Sequence, residues 1–294
     1  MPSEAYVKLR AAIERNMKGA PNDPASMRKG MELTAQPLPS GVAAEMVDAN
    51  GVSCEWQVPE GGGSGVILFV HGGGYVAGSI ASHRNLTGHL AAASGCGVLS
   101  VDYRLAPENP HPAPVEDALS AYQYLLDEGV SPNSIAISGD SAGGGLCIAT
   151  QLAIKQAGLP LPAASVPISP WVDMSGSGES FVTRADVDPM IEPDMMADMV
   201  RYFLGPDGDP SDPLASPIEG DLADLPPMLI QVGDHEVLLS DSEALAARAE
   251  AAGVDVTLRV WPEMIHVWHS LAGMCEEADA AIAEAAEFIT ARVG

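Results

Sequence analysis

The strongest chemical signal in the chain is a serine with glycine two residues away on each side, Gly139-Asp140-Ser141-Ala142-Gly143. It lies between a β-branched apolar run at 134–138 and a helical pattern at 142–157. Small residues at those two positions let the backbone turn sharply from strand to helix and expose the serine Oγ at the strand end. The helix then brings the positive end of its dipole beside any negative charge developing at Ser141. Acyl transfer also needs donors for an oxyanion. His71-Gly72-Gly73-Gly74-Tyr75 follows another apolar run, and its glycines let backbone N–H groups approach a ligand closely. Gly73 and Gly74 are the expected donors, joined by Ala142 just after the serine, while His71 is expected to order the loop. The glycines after Ser141 could instead form a flexible turn. A dinucleotide loop would need G-x-G-x-x-G opening the first strand–helix turn and an acidic residue about twenty positions on, and His71-Gly72-Gly73-Gly74 does not supply it.

Elements able to hold these residues are legible in the periodicity. Runs at 65–70, 97–101, 134–138, 164–169, 227–232 and 254–260 read as strands, most of them continuously apolar, as strands covered on both faces are. Helical patterns occupy 80–94, 114–128, 142–157, 240–252 and 276–292; in the second, Val115, Ala118, Leu119, Tyr122 and Leu125 share one face. The alternation implies a mainly parallel α/β sheet with helices on both sides, whose ligands bind at the carboxyl ends of the strands. Two segments break it. One is the N-terminus, helical through Met17 and then rich in proline (Pro21, Pro24, Pro37, Pro39); the other runs from 171 to about 217 and includes a Met-rich helical stretch at 193–204. The second is long and apolar enough to read as a lid.

His71-Gly72-Gly73-Gly74, the block Tyr103-Arg104-Leu105-Ala106-Pro107-Glu108 with Pro112, Pro114, Glu116 and Asp117, and Gly139-Asp140-Ser141-Ala142-Gly143-Gly144-Gly145 occur in that order. Together they resemble the hormone-sensitive-lipase-like branch of the α/β-hydrolase esterases, often called bacterial family IV, over residues 65–270 or so. The resemblance implies an α/β-hydrolase fold, a mostly parallel eight-stranded sheet flanked by helices, with a helical cap. Residues 1–40 and 173–217 would form the cap, and 41–172 with 218–294 the core. It further implies carboxylic ester hydrolysis with no cofactor and no metal, and makes 103–117 scaffold around the glycine loop. His111 departs from the family, which commonly has an aromatic residue there.

In such enzymes the histidine follows the last strands, after nucleophile and acid. His266 resembles the family's catalytic histidine; His269 is displaced by nearly a turn and reads as a surface or cap-contacting residue. For the acid, the family's Asp-Pro-Leu-Arg-Asp-Glu-Gly-Glu-Ala run, laid without gaps on residues 236–244, places Glu236 where the Asp stands. Asp234 is the rival, and Asp241, otherwise a helix-cap candidate, stays open. The expected reaction is attack by Ser141 with His266 as base, Glu236 holding the ring, and Gly73, Gly74 and Ala142 binding the oxyanion. Met190, Met195, Met196, Met199, Tyr202 and Phe203 could line an acyl pocket, against the plainer reading that Met195 and Met199, at i and i+4, seat the cap helix on the core; Asp188-Pro189-Met190 reads as a site contact or no more than a turn. Short- to medium-chain acyl esters are the expected substrates. Amides and thioesters remain open, as does a non-catalytic binding protein on the same scaffold.

Charge narrows the partners. Fourteen Lys and Arg against 40 Asp and Glu give a net charge of −26, with no basic stripe to neutralise phosphates. Nucleic acid and membrane surfaces are therefore excluded as expected partners, a small-molecule ester is favoured, and a homodimer is left open. Hydrophobic residues make up 47% of the chain, which argues against acidic disorder. There is no apolar stretch of signal or membrane-spanning length, and the protein reads as cytoplasmic. Cys54, Cys96, Cys147 and Cys275 are widely spaced without a CxxC pair, which suits packed thiols better than a disulfide frame or a zinc site. The acid excess suggests adaptation to salty surroundings.

Overall fold

Apolar runs and helical patterns resolve into a single eight-stranded sheet in a computed structural model that describes every residue except Lys18 and Ser64. Its strands are β1 (Val42–Ala49), β2 (Val52–Pro59), β3 (Val66–Val70), β4 (Gly97–Val101), β5 (Ile135–Asp140), β6 (Ala164–Ile168), β7 (Met228–Gly233) and β8 (Val256–Trp261), in the order β1-β2-β4-β3-β5-β6-β7-β8. From β4 to β8 all pairings are parallel; β2 runs antiparallel to both β1 and β4. Every residue of β5, β6 and β7 is buried, which accounts for their unbroken apolar character.

Helices cover both faces. Helices α4 (Ala113–Asp127) and α5 (Ala142–Gln156) bury Val115, Tyr122, Leu125 and Leu146 against Leu68, Leu99 and Ile137. On the other face α3 (Ile80–Ser94) and α9 (Glu276–Thr290) bury Leu86, Leu90, Ile282 and Ile289 against Ile67, Phe69, Val98 and Val166. Each such aliphatic or aromatic side chain contributes about 1.5–3 kcal/mol on burial, so the sheet's position is set by two independent apolar layers. Helix α8 (Leu239–Ala251) packs Leu245 and Ala249 beside β7.

Both segments that interrupt the alternation are helical. Helix α1 (Glu4–Met17) precedes α2 (Pro24–Thr34), while the short α6 (Ser180–Thr183) precedes α7 (Pro193–Leu204) between β6 and β7. Proline rules a helix out only in its interior. Pro24 opens α2, with Asp23 capping it by accepting the Ser26 N–H at 3.0 Å. The hairpin β1–β2 is a further difference, because the periodicity located no strand before residue 65. Its turn, Asn50-Gly51, has φ of 57° and 89°, the left-handed pair that a two-residue hairpin needs.

Candidate active site

Five neighbouring strands, β3, β5, β6, β7 and β8, end where the chemically interesting residues sit. Ser141 directly follows β5, with φ 57° and ψ −123°, a conformation that costs a non-glycine residue on the order of 1–3 kcal/mol. The turn is held from both sides. Ser141 N–H donates to Ile168 O at the end of β6 (2.8 Å), and Ser141 O accepts from Gly145 N (3.1 Å) and Trp171 N (3.0 Å). A Cβ on Gly139 would stand 2.3 Å from Gly143 O, and one on Gly143 would stand 2.1 Å from Val70 O. Both glycines are therefore obligatory for close approach, as the pentapeptide implied.

The glycine loop lies against this turn. Gly73 has φ 115° and Gly74 φ 63°, and Gly73 O accepts from both Val76 N and Ala77 N. Gly72 N–H is committed to Asp140 Oδ1 (3.1 Å), whereas Gly73 and Gly74 donate no backbone hydrogen bond among the described residues. Ala142 is the first residue of α5, where helical N–H groups lack an intrahelical partner. Three donors thus remain free beside the serine. Underneath, the His71 ring stacks on Tyr103 (4.2 Å) and His83 (5.2 Å), its Nδ1 meets Gly72 O at 2.8 Å, and Tyr103 OH donates to His71 O at 2.7 Å. Burial pushes His71 down to about 3, so it is a neutral structural group. Burial also works to raise the Asp140 carboxyl, but His83, with Nε2 3.4 Å away, outweighs it and holds Asp140 below the usual range.

His266 follows β8 and Glu236 follows β7. Nδ1 of His266 meets Glu236 Oε2 at 2.7 Å, and Glu236 is fully buried. The other carboxylate oxygen, Oε1, accepts from Gly233 N (2.6 Å) and Ser169 OH (2.8 Å). The added methylene of Glu is absorbed by this reach back to the strand end. Ser169, itself at φ 44°, also accepts the Val267 N–H at 3.3 Å and so links acid and histidine loops. Burial works to lower the His266 pKa; the hydrogen bond and charge of Glu236, aided by Asp188 and Asp140, more than offset it and leave it above the ordinary value. With Nδ1 engaged, Nε2 is the ring nitrogen left to exchange a proton. No hydrogen bond joins Ser141 Oγ to the ring among the described residues, a looseness such sites commonly lose when substrate binds.

The rival acids are placed elsewhere. Asp234 accepts the Glu263 N–H, and Asp241 is buried and accepts Val172 N (3.0 Å) and Asp173 N (3.1 Å) instead of capping α8. His269 needs a correction, for it is fully buried and not at the surface. The left-handed Val267 starts a short 3-10 turn that swings its ring under β7, where Nε2 meets Gln231 Oε1 at 3.0 Å. Among the described residues no group of three His, Cys, Asp or Glu is arranged to hold a metal, and all four cysteines are free and buried.

Residues 67–270 match the family model of the alpha/beta hydrolase fold. An acetyl-hydrolase of Streptomyces hygroscopicus is 44% identical over 251 residues, 85% of this chain and 83% of that protein, and an esterase of Acinetobacter venetianus is 31% identical over 98% of this chain and 95% of its own. A crystal structure of an esterase from the bacterial hormone-sensitive lipase family superimposes with a TM-score of 0.96 at 44% identity, covering both chains fully. The chain belongs to the hormone-sensitive-lipase-like esterases of the α/β-hydrolase fold. It is a carboxylic ester hydrolase.

In this esterase, α7 covers the glycine loop. A Cβ on Gly74 would lie 3.0 Å from Met199 Cγ, and Phe203 stacks on Tyr75 at 3.8 Å. His111 packs edge-on against Phe203 (5.4 Å), so the departure from the family pattern is absorbed by contact with α7. Arg28 of α2 donates to Val76 O (2.7 Å), Ala106 O (2.9 Å) and Glu108. Sequence reasoning missed the part played by Ser169 and underrated Asp188, whose Oδ1 does make a turn with Met190 N and Ile191 N, but whose Oδ2 accepts the Val237 N–H at 2.9 Å. The Asp-Pro pair was a visible turn signal; nothing local marked its second bond.

Proposed function

We propose that this esterase cleaves short- to medium-chain acyl esters through a Ser141–His266–Glu236 triad. The observation that carries the proposal is the buried 2.7 Å contact between His266 Nδ1 and Glu236 Oε2 at the strand edge that also presents Ser141. Glu236 fixes the tautomer and stabilises the imidazolium, His266 accepts the Ser141 proton through Nε2, and Ser141 Oγ attacks the ester carbonyl. Gly73, Gly74 and Ala142 donate to the oxyanion as it forms. The imidazolium then protonates the departing alcohol, and water repeats the sequence on the acyl-enzyme.

Residues 1–40 and 173–217 act as the cap in this reading, and the acyl group meets Met199 over Gly74. A short acyl preference is supported by that close covering and by the name of the Streptomyces acetyl-hydrolase. Uncharged esters suit a chain of net charge −26, and four buried free thiols suit the cytoplasm. A fluorophosphonate probe should label Ser141 alone, and Ser141→Ala should lower kcat on p-nitrophenyl butyrate about a million-fold. Labelling at another residue, or a variant with parental rate, would overturn the triad.

A further inference from the structure

Helix α1 lies against the loops that carry the histidine and the acid. Tyr6 is the one residue of α1 that is buried, and its exposure is nil. Its hydroxyl accepts the Ile265 N–H at 2.9 Å and donates to Glu263 O at 2.9 Å, so one phenol oxygen bridges the two ends of the turn leading into His266. Besides Tyr6, Asp234 accepts the Glu263 N–H and Met264 O accepts the His235 N–H at 3.1 Å, but the turn has little support within itself. Glu263 (φ 64°) and Val267 (φ 47°) are both left-handed non-glycine residues, and the bond from Met264 N to Trp261 O is long at 3.4 Å. Burial pushes the Tyr6 pKa up to about 12, so the hydroxyl keeps the proton it donates.

Arg10 lies on the same helical face, four residues on. Its guanidinium meets His235 Nδ1 at 2.8 Å and donates to Val187 O at 3.2 Å and Glu263 O at 3.4 Å. His235 precedes Glu236, and Val187 precedes Asp188, which holds Val237 on the far side of the acid. Two side chains of one helix therefore touch the three segments whose relative placement sets the His266–Glu236 distance.

We propose that Tyr6 and Arg10 are positioning residues for the His266–Glu236 pair, making α1 part of the apparatus that aligns the general base. The proposal rests on the triad reading. A misplacement of about 1 Å can cost on the order of a hundredfold in rate, and a phenol hydroxyl bonded at both ends of a strained turn fixes the ring at that scale. Simple anchoring of α1 would predict loss of stability with no selective loss through His266.

The test is Tyr6→Phe, which keeps the ring that fills the site and removes only the hydroxyl. With p-nitrophenyl acetate, kcat should fall about tenfold or more while KM stays within about twofold. The acid limb of the pH profile should move to lower pH, since a looser Glu236 contact withdraws what holds the His266 pKa up. In a His266→Ala background, the same substitution should leave the residual rate unchanged. A kcat within about twofold of the parent, or an equal fractional loss in both backgrounds, would overturn the proposal. Arg10→Gln carries the same comparison if Tyr6→Phe fails to fold, because Arg10 is only half-buried. Fluorophosphonate mapping of the parent separates the two failures: a label away from Ser141 rejects the triad, while a label on Ser141 with an unaffected Tyr6→Phe rejects the positioning role alone.

Discussion

Glu236 divides its work between its two oxygens, Oε2 on the imidazole and Oε1 on Gly233 N and Ser169. With Glu236 as the proposed triad acid, Glu236→Gln should lower kcat on the order of ten-thousand-fold, because the amide imposes the wrong tautomer on the ring. Asp234→Asn, whose residue serves Glu263 N, should cost less than about tenfold; a larger loss in Asp234→Asn than in Glu236→Gln would reverse the assignment. The pH dependence has a definite sign. His266 is held above the ordinary histidine value by Glu236, with Asp188 and Asp140 adding to it against the lowering effect of burial. In the proposed triad only the neutral ring acts as base, so kcat/KM of the parent should rise with pH through a pKa above about 6.5. The stability contribution runs the other way: it is fully present below the unfolded value and is lost as pH rises through the folded one. Of these residues, Ser141 was legible from its own spacing. Glu236 required the resemblance, and Ser169 gave no signal, because what makes it important is the parallel neighbour that brings β6 beside β7.

At the scale of elements, continuous apolar strands and the helices of the core were readable because both faces of β5, β6 and β7 are buried. The β1–β2 hairpin was not, since β1 is mostly exposed and carries little apolar periodicity, although Asn50-Gly51 marked its turn. Helix α7 was located to the residue from its pattern, yet the pattern could not say what its buried Met199 faces. The fold answers that with Gly74. Shortening this side chain should open space beside the proposed oxyanion donors. In Met199→Ala, the ratio of kcat/KM for p-nitrophenyl octanoate to that for acetate should rise about tenfold, and stability should fall by about 2–5 kcal/mol in a denaturant titration. An unchanged ratio alongside the expected loss of stability would mean that Met199 seats the helix and leaves acyl length to other residues.

For the whole molecule, the −26 charge matters through its distribution. Lys8, Arg28, Arg84, Arg104, Lys155, Arg201, Arg248, Arg259 and Arg292 are already engaged with carboxylates, so most of the few cations are spent on local pairs. Arg84 holds the buried Glu55, but the other pairs are exposed or partly so and are worth about 0–1 kcal/mol each, and screening them forfeits little. The unpaired carboxylates repel one another, and screening relieves that as the Debye length falls from about 10 Å at 0.1 M salt to about 3 Å at 1 M. Added sodium chloride should therefore raise the unfolding temperature across this range. An uncharged ester gains nothing from long-range steering, so kcat/KM on p-nitrophenyl acetate should stay nearly flat over the same series. A steady fall in unfolding temperature from the lowest salt upward would show that the local pairs outweigh the repulsion, and would remove the case for a surface adapted to salt.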